Sequence, residues 1–148
     1  MSGSAEQWRD EGMRLSARRD HAGAIRAFEQ AVRLVPGDAA LAARLALERL
    51  TYGDIDAARA GARAARDLPD ADARTLDRLG HILNRTADFD EALDLFRRAS
   101  ALAPNEVSIL KNLAWGAQHA GQFAEAEEAL RRALALAPSD DKAWFSLS

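Results

Sequence analysis

Apolar residues recur along this chain with a helical period, in paired stripes separated by short polar breaks. Between residues 73 and 106, Leu76, Leu79 and Leu83 form one stripe, and Phe89, Ala92, Leu93, Phe96 and Ala99 form a second. Arg85-Thr86-Ala87-Asp88 separates the two, and Gly53-Asp54 and Gly121-Gln122 make the same break elsewhere. The pattern predicts a helix, a tight turn and a second helix. It also repeats. Ala24, Ala58, Ala92 and Ala126 follow one another at a single fixed interval, and Gly12, Ala46, Gly80 and Ala114 share it. Ala31, Ala65, Ala99 and Ala133 keep the same phase, as do Leu34, Leu68, Leu102 and Leu136.

Chance does not hold four independent columns in register, so the chain reads as four repeats, 5–38, 39–72, 73–106 and 107–140. Residues 141–148 open a fifth, with Trp144 and Leu147 in the columns of Leu110 and Leu113. Pro36, Pro104 and Pro138 stop second helices, and Asp38, Asn105 and Ser139 are placed to cap the helices that follow. Neither helix of a repeat can bury its stripe alone, so neighbouring repeats must stack. The chain stops inside the fifth repeat, which predicts a piece of a longer protein, with residues 1–4 outside the fold. Trp144, Phe145 and Leu147 are then expected to cover the apolar edge of the fourth repeat or to meet another chain.

Composition strengthens the helical reading. Alanine, the strongest helix former, supplies 34 of 148 residues, whereas proline supplies four and glycine nine. Arginine supplies 18 of the 20 basic residues, an Ala-plus-Arg bias that suggests a bacterial coding sequence. The net charge of −3 argues against a nucleic-acid partner, because such proteins carry a basic excess. With no cysteine, disulfide scaffolds, zinc ribbons and thiol catalysis are excluded, and a cytoplasmic location is expected. No apolar run approaches membrane-spanning length, so no membrane partner is expected.

These columns resemble the tetratricopeptide repeat. Trp8, Gly12, Leu15, Ala24, Phe28, Ala31 and Pro36 carry the likeness in the first repeat, and Leu76, Leu79, Gly80, Leu83, Ala92, Phe96, Ala99 and Pro104 in the third. The resemblance implies an all-α solenoid wound as a right-handed superhelix, with small residues such as Gly80 and Ala92 where two helices touch. Repeat two departs most. Ala42 and Ala62 replace bulkier residues, Arg49 replaces Leu, and Gly61 interrupts its second helix, so it is expected to be the loosest.

No catalytic motif emerges, so the chain is expected not to be an enzyme and to need no cofactor. His21, His81 and His119 form no metal-ligand spacing, and His21 reads as a packed substitute for the aromatic at Phe89 and Phe123. Glu127 and Glu128 precede Arg131 and Arg132 by four residues, the spacing of paired charges on an exposed helix face.

In the resembled family the first helices line a concave groove that takes a protein or peptide. Its columns hold Arg9 and Met13, then Arg44 and Leu47. The third repeat adds Arg74, Asp77, Arg78, His81, Asn84 and Arg85, and the fourth adds Ser108, Lys111, Asn112, Trp115, Gln118 and His119. The expected partner-binding set is Arg9, Arg44, Arg74, Arg78, His81, Lys111, Asn112 and Trp115, suited to an acidic segment or a C-terminal carboxylate. The family's carboxylate clamp is not carried over, because Met13 and Arg44 replace its two asparagines. Two alternatives stand beside the binding module. The stretch from Arg74 to Ser148 resembles the arm preceding bacterial sulfotransferase domains, which would place catalysis beyond Ser148. Self-assembly into homo-oligomers through open solenoid ends is the other.

Overall fold

The computed structural model describes residues 3–138. They form eight helices and no strand: α1 (Ala5–Ala17), α2 (His21–Leu34), α3 (Ala39–Tyr52), α4 (Ile55–Arg66), α5 (Ala73–Arg85), α6 (Phe89–Leu102), α7 (Val107–His119) and α8 (Phe123–Leu136). The chain divides into two compact units, Met1–Ala71 and Asp72–Ser148. In the first, α1 packs on α2, α2 on α3 and α3 on α4. In the second, α5 packs on α6, α6 on α7 and α7 on α8, and the first helices α5 and α7 also touch. Trp144, Phe145, Leu147 and the capping residue Ser139 lie outside the described residues.

Helix starts follow local chemistry. Ser4, Asp38 and Asp72 accept the backbone N–H of Gln7, Leu41 and Thr75 at 3.1, 3.1 and 2.8 Å. Gln7 answers by accepting the Ser4 N–H at 2.8 Å, which closes a capping box, so Ser4 holds the first turn of α1. Asn105, in contrast, does not cap α7. The N-cap is Glu106, the counterpart of Asp72 in the next repeat, so the helix begins one residue too late for Asn105 to serve it. The longer Glu106 side chain reaches no backbone N–H and accepts from Ser108 Oγ at 3.3 Å instead.

The turn inside each repeat is identical in kind. Arg19, Gly53, Ala87 and Gly121 are equivalent positions of the four repeats and all adopt positive φ, at 62°, 105°, 66° and 77°. The next residue's N–H then returns to a carbonyl five residues back: Asp20 to Leu15, Asp54 to Arg49, Asp88 to Leu83 and Gln122 to Ala117, at 2.8–2.9 Å. Glycine adopts this conformation freely. Arg19 and Ala87 hold it at a cost of about 1 kcal/mol each, which the repeated bond and the packing around it offset.

Core mass differs between the units. Among the described residues, Phe28 is the one large, fully buried side chain of the first unit, and it packs with Ala24, Leu45, Leu15, Ile25 and Val32. The second unit buries Leu76, Leu79, Ile82, Leu83, Leu95, Phe96 and Leu110 completely. In repeat two, small Ala46 and Ala62 face inward with no exposure, and Arg49 turns its guanidinium to 3.8 Å from Glu29 on α2. Gly61 there has room: a β-carbon would meet only Ala46 Cβ, at an ordinary 3.5 Å. Gly61→Ala is therefore expected to stabilise the chain by about 0.5–1 kcal/mol, through the helix propensity of alanine at a site that already accommodates it. A urea midpoint that falls would show that α4 needs the glycine.

Candidate functional site

The second unit brings five of the expected groove-column residues together: Asp77, His81, Asn112, Trp115 and His119. His81 on α5 and Trp115 on α7 occupy the same column of adjacent repeats, and their rings stack with centroids at 5.6 Å and planes at 29°. One turn on, His119 meets Trp115 edge-on at 4.9 Å, and its Nδ1 lies 2.8 Å from the Trp115 carbonyl oxygen. Phe89, the first residue of α6, stacks on His119 at 5.5 Å. The half-buried Trp115 indole is thus fixed from two sides while part of it remains open to solvent. Aromatic contacts of this kind add about 0.5–1.5 kcal/mol beyond area burial, enough to hold one orientation.

Beside the rings, Asn112 Nδ2 donates to both carboxylate oxygens of Asp77, each at 3.0 Å. Burial pushes the Asp77 carboxyl above the usual aspartate range, and the bond from Asn112 opposes that push. Burial also lowers the His81 pKa from its ordinary value, with the Arg85 charge acting in the same direction and Asp77 against it. At neutral pH His81 is therefore uncharged, and its stack on Trp115 presents an apolar surface. Positive charge lies on the same two helices: Arg74 is exposed, and Arg78 and Lys111 are half-buried. Asn84, a groove column like the others, is instead buried, with neither amide atom hydrogen-bonded.

The first unit uses its expected residues differently. Arg9 lies against Asp10 at 3.1 Å and Glu6 at 3.6 Å, all on the surface of α1. Arg44 on α3 has no hydrogen bond or ion pair among the described residues. It lines a cavity of about 270 Å³ between α1 and α3, with Met13, Phe28, Leu47 and Glu48. Glu48 is buried, and its carboxylate accepts from Ser16 Oγ on α1 and lies 2.8 Å from Nδ1 of His21 on α2. His21 is thus a hydrogen-bond partner as well as a packed ring. The sequence signal for it was the column itself, since Glu48 stands where the third repeat has buried Ile82.

On α8, Arg131 pairs with Glu127, but Arg132 reaches the Pro104 carbonyl oxygen at 3.4 Å in place of Glu128. No group of three or more His, Asp or Glu among the described residues is placed to hold a metal ion. None of these helices is long and apolar enough to cross a membrane.

Residues 72–139 match the sequence model of the tetratricopeptide repeat family. No curated protein is a recognisable match by sequence. Among solved structures, a crystal structure of MamA superposes with a TM-score of 0.77 at 21% identity, over 92% of this chain and 80% of that one. MamA from Desulfovibrio magneticus RS-1, residue 41 to its end, gives 0.75 at 20% identity, over 93% and 78%. YrrB, described as a tetratricopeptide-repeat protein with an unusual peptide-binding site, gives 0.76 at 20% identity, over 96% and 73%. The second half of this chain is therefore tetratricopeptide repeat by sequence, and the chain as a whole has that all-α fold.

Proposed function

We propose that this tetratricopeptide-repeat chain is a scaffold whose α5–α7 face receives an extended, acidic segment of a partner protein. The observation that carries the reading is the Trp115 indole, held between His81 and His119 and left partly open. A tryptophan fixed before binding loses little conformational freedom when a partner arrives, which is the usual property of an interface anchor. Arg74 and Arg78, one helical turn apart on α5, add charge that would favour carboxylates and guide their approach. The peptide-binding site named for the similarly folded YrrB makes a peptide ligand reasonable for this fold, and the residues here give it a chemistry.

A fluorescein-labelled peptide of alternating Glu and Leu is a suitable probe. The double change Arg74→Ala plus Arg78→Ala is expected to weaken its binding about tenfold at low salt and to flatten the salt dependence, with helicity unchanged. The Trp115 indole N–H resonance should shift on titration. Equal affinity of parent and variant at both low and high salt would remove the basic face from the proposal.

A further inference from the structure

We infer that the open cavity between α1 and α2 takes helix α8 of a second copy of this chain, so that copies join end to end. The stacking of repeats inside the second unit carries the inference. There α6 packs on α7 and is fastened to α8 at two points. Arg97 of α6 forks onto Glu125 of α8 at 2.6 and 2.8 Å. Arg132 of α8 reaches the carbonyl oxygen of Pro104, just past the end of α6, at 3.4 Å. Both contacts span 28 residues, so α6 and α8 run parallel in one register. Leu110, Leu113 and Ala117 of α7, the helix on which α6 packs, are at most 6% exposed.

The first repeat has the same columns and an opening in place of that helix. Trp8, Glu11 and Leu15 stand where the fourth repeat has Leu110, Leu113 and Ala117, and Trp8 and Leu15 are only half-buried. With Gly23, Ala27 and Gln30 of α2 they line a cavity of about 550 Å³. Both fastening points have a counterpart here. Gln30 occupies the column of Arg132, and no group among the described residues bonds its amide. Its amide N–H can donate to the Pro138 carbonyl oxygen of an incoming copy, as Arg132 donates to Pro104. Gly23 occupies the column of Glu125, and Asp20 supplies the missing carboxylate. One Asp20 oxygen accepts the Gly23 N–H at 2.9 Å, and the other lies against the place that a β-carbon on Gly23 would take. Arg131 of the incoming α8, in the column of Arg97, therefore meets a carboxylate as Arg97 does.

α8 brings the matching apolar surface. Leu130 and Leu134 occupy the columns of Phe96 and Ser100, both buried on α6. Among the described residues, Leu130 is half-buried and Leu134 is 40% exposed. Laid in the register of α6, these leucines enter the cavity beside Trp8, Leu15 and Ala27. One contact then covers two apolar faces of the same sequence, whereas a foreign segment would cover only one of them. The two faces differ, so the contact is heterologous and continues past two copies unless it closes into a ring. It uses none of the residues of the α5–α7 face.

Sedimentation velocity of the full chain over rising concentration tests it. The expected result is a mass that grows beyond the dimer. Leu134→Arg, at an exposed position, should abolish the growth, and so should Trp8→Arg. If thermal melts show that Trp8→Arg does not fold, Gln30→Glu takes its place. A mixture of the α8 variant with the cavity variant should form a heterodimer and stop there, because each chain keeps one intact face. Asp20→Asn keeps the helix cap but removes the charge, and should weaken assembly about threefold. A parent that stays monomeric throughout overturns the inference, as do variants that assemble like the parent or a mixture that stays monomeric. Loss of assembly in Trp115→Ala also overturns it and moves the self-contact to the α5–α7 face. Binding of the Glu-Leu peptide should be unchanged in Leu134→Arg, so the two sites fail or stand separately.

Discussion

Phe96→Ala is expected to destabilise the chain by about 3–5 kcal/mol, the range for deleting a fully buried aromatic side chain. The ring occupies the centre of the second unit, where two glycines clasp it. A β-carbon built on Gly80 of α5 would stand 2.8 Å from Phe96 Cε1, and one on Gly116 of α7 would press on the opposite edge of the same ring. The first unit repeats half of this arrangement, with Phe28 Cε1 only 2.6 Å from a β-carbon at Gly12. Where alanine stands in the glycine column, the facing column is smaller or more pliant: Ala46 faces the column of Ala62, and Ala114 that of Leu130. The two columns are thus matched in size, glycine with phenylalanine and alanine with an aliphatic residue.

That matching makes the prediction specific. Gly80→Ala alone should cost about 1–3 kcal/mol by overpacking. In a Phe96→Leu background, which copies the pairing of Ala114 with Leu130, the same change should cost much less, and the double-mutant cycle should return a coupling of at least about 1 kcal/mol. Urea unfolding of the four variants checks it. Additive midpoints would show that the glycine serves the helix rather than the ring.

His21→Ala is expected to cost about 2 kcal/mol, because it strips one donor from a carboxylate that is nearly out of reach of water. The Glu48 side chain is 10% exposed and that of His21 26% exposed, so water entering beside a truncated His21 replaces the lost bond only in part. The third repeat supplies the control. It places Phe89 and Ile82 in the columns of His21 and Glu48, and both are accommodated in its helices. His21→Phe combined with Glu48→Ile should therefore stay within about 1 kcal/mol of the parent, because replacing both partners of a hydrogen bond by apolar groups of similar shape is often nearly neutral. If His21→Ala melts with the parent, Ser16 alone satisfies Glu48. If the double variant is as unstable as the single one, the polar cluster is required by its surroundings and not only by itself.

The repeat, its period, its helical class and the cap at Asp38 were determined by the amino-acid sequence alone. Each of these depends on contacts within a few residues or on a column that recurs in every repeat, and both survive without coordinates. Asp38 capping Leu41 is of this kind, and so is the turn that ends α1, α3, α5 and α7 with one residue of positive φ. The groove columns are assigned by family resemblance, through position alone.

What a column does was decided only by the tertiary structure, because that depends on which side chain of a neighbouring helix meets it. His81 and Trp115 stack because their shared column lies where α5 and α7 touch, whereas Asn84, three residues on, is buried without a hydrogen bond. Arg9 spends its charge on Asp10 and Glu6 within its own helix, and Arg44 meets no partner among the described residues. Glu125 reads in sequence as one more exposed helical acid, yet both its oxygens are held by Arg97 of α6, at 2.6 and 2.8 Å, across 28 residues of chain. The partly buried cluster of Ser16, His21 and Glu48 belongs to three helices and to no motif. Local spacing determines where a helix begins and which way its face turns; only packing brings together groups that are distant in sequence, and charge and burial take their values from that meeting.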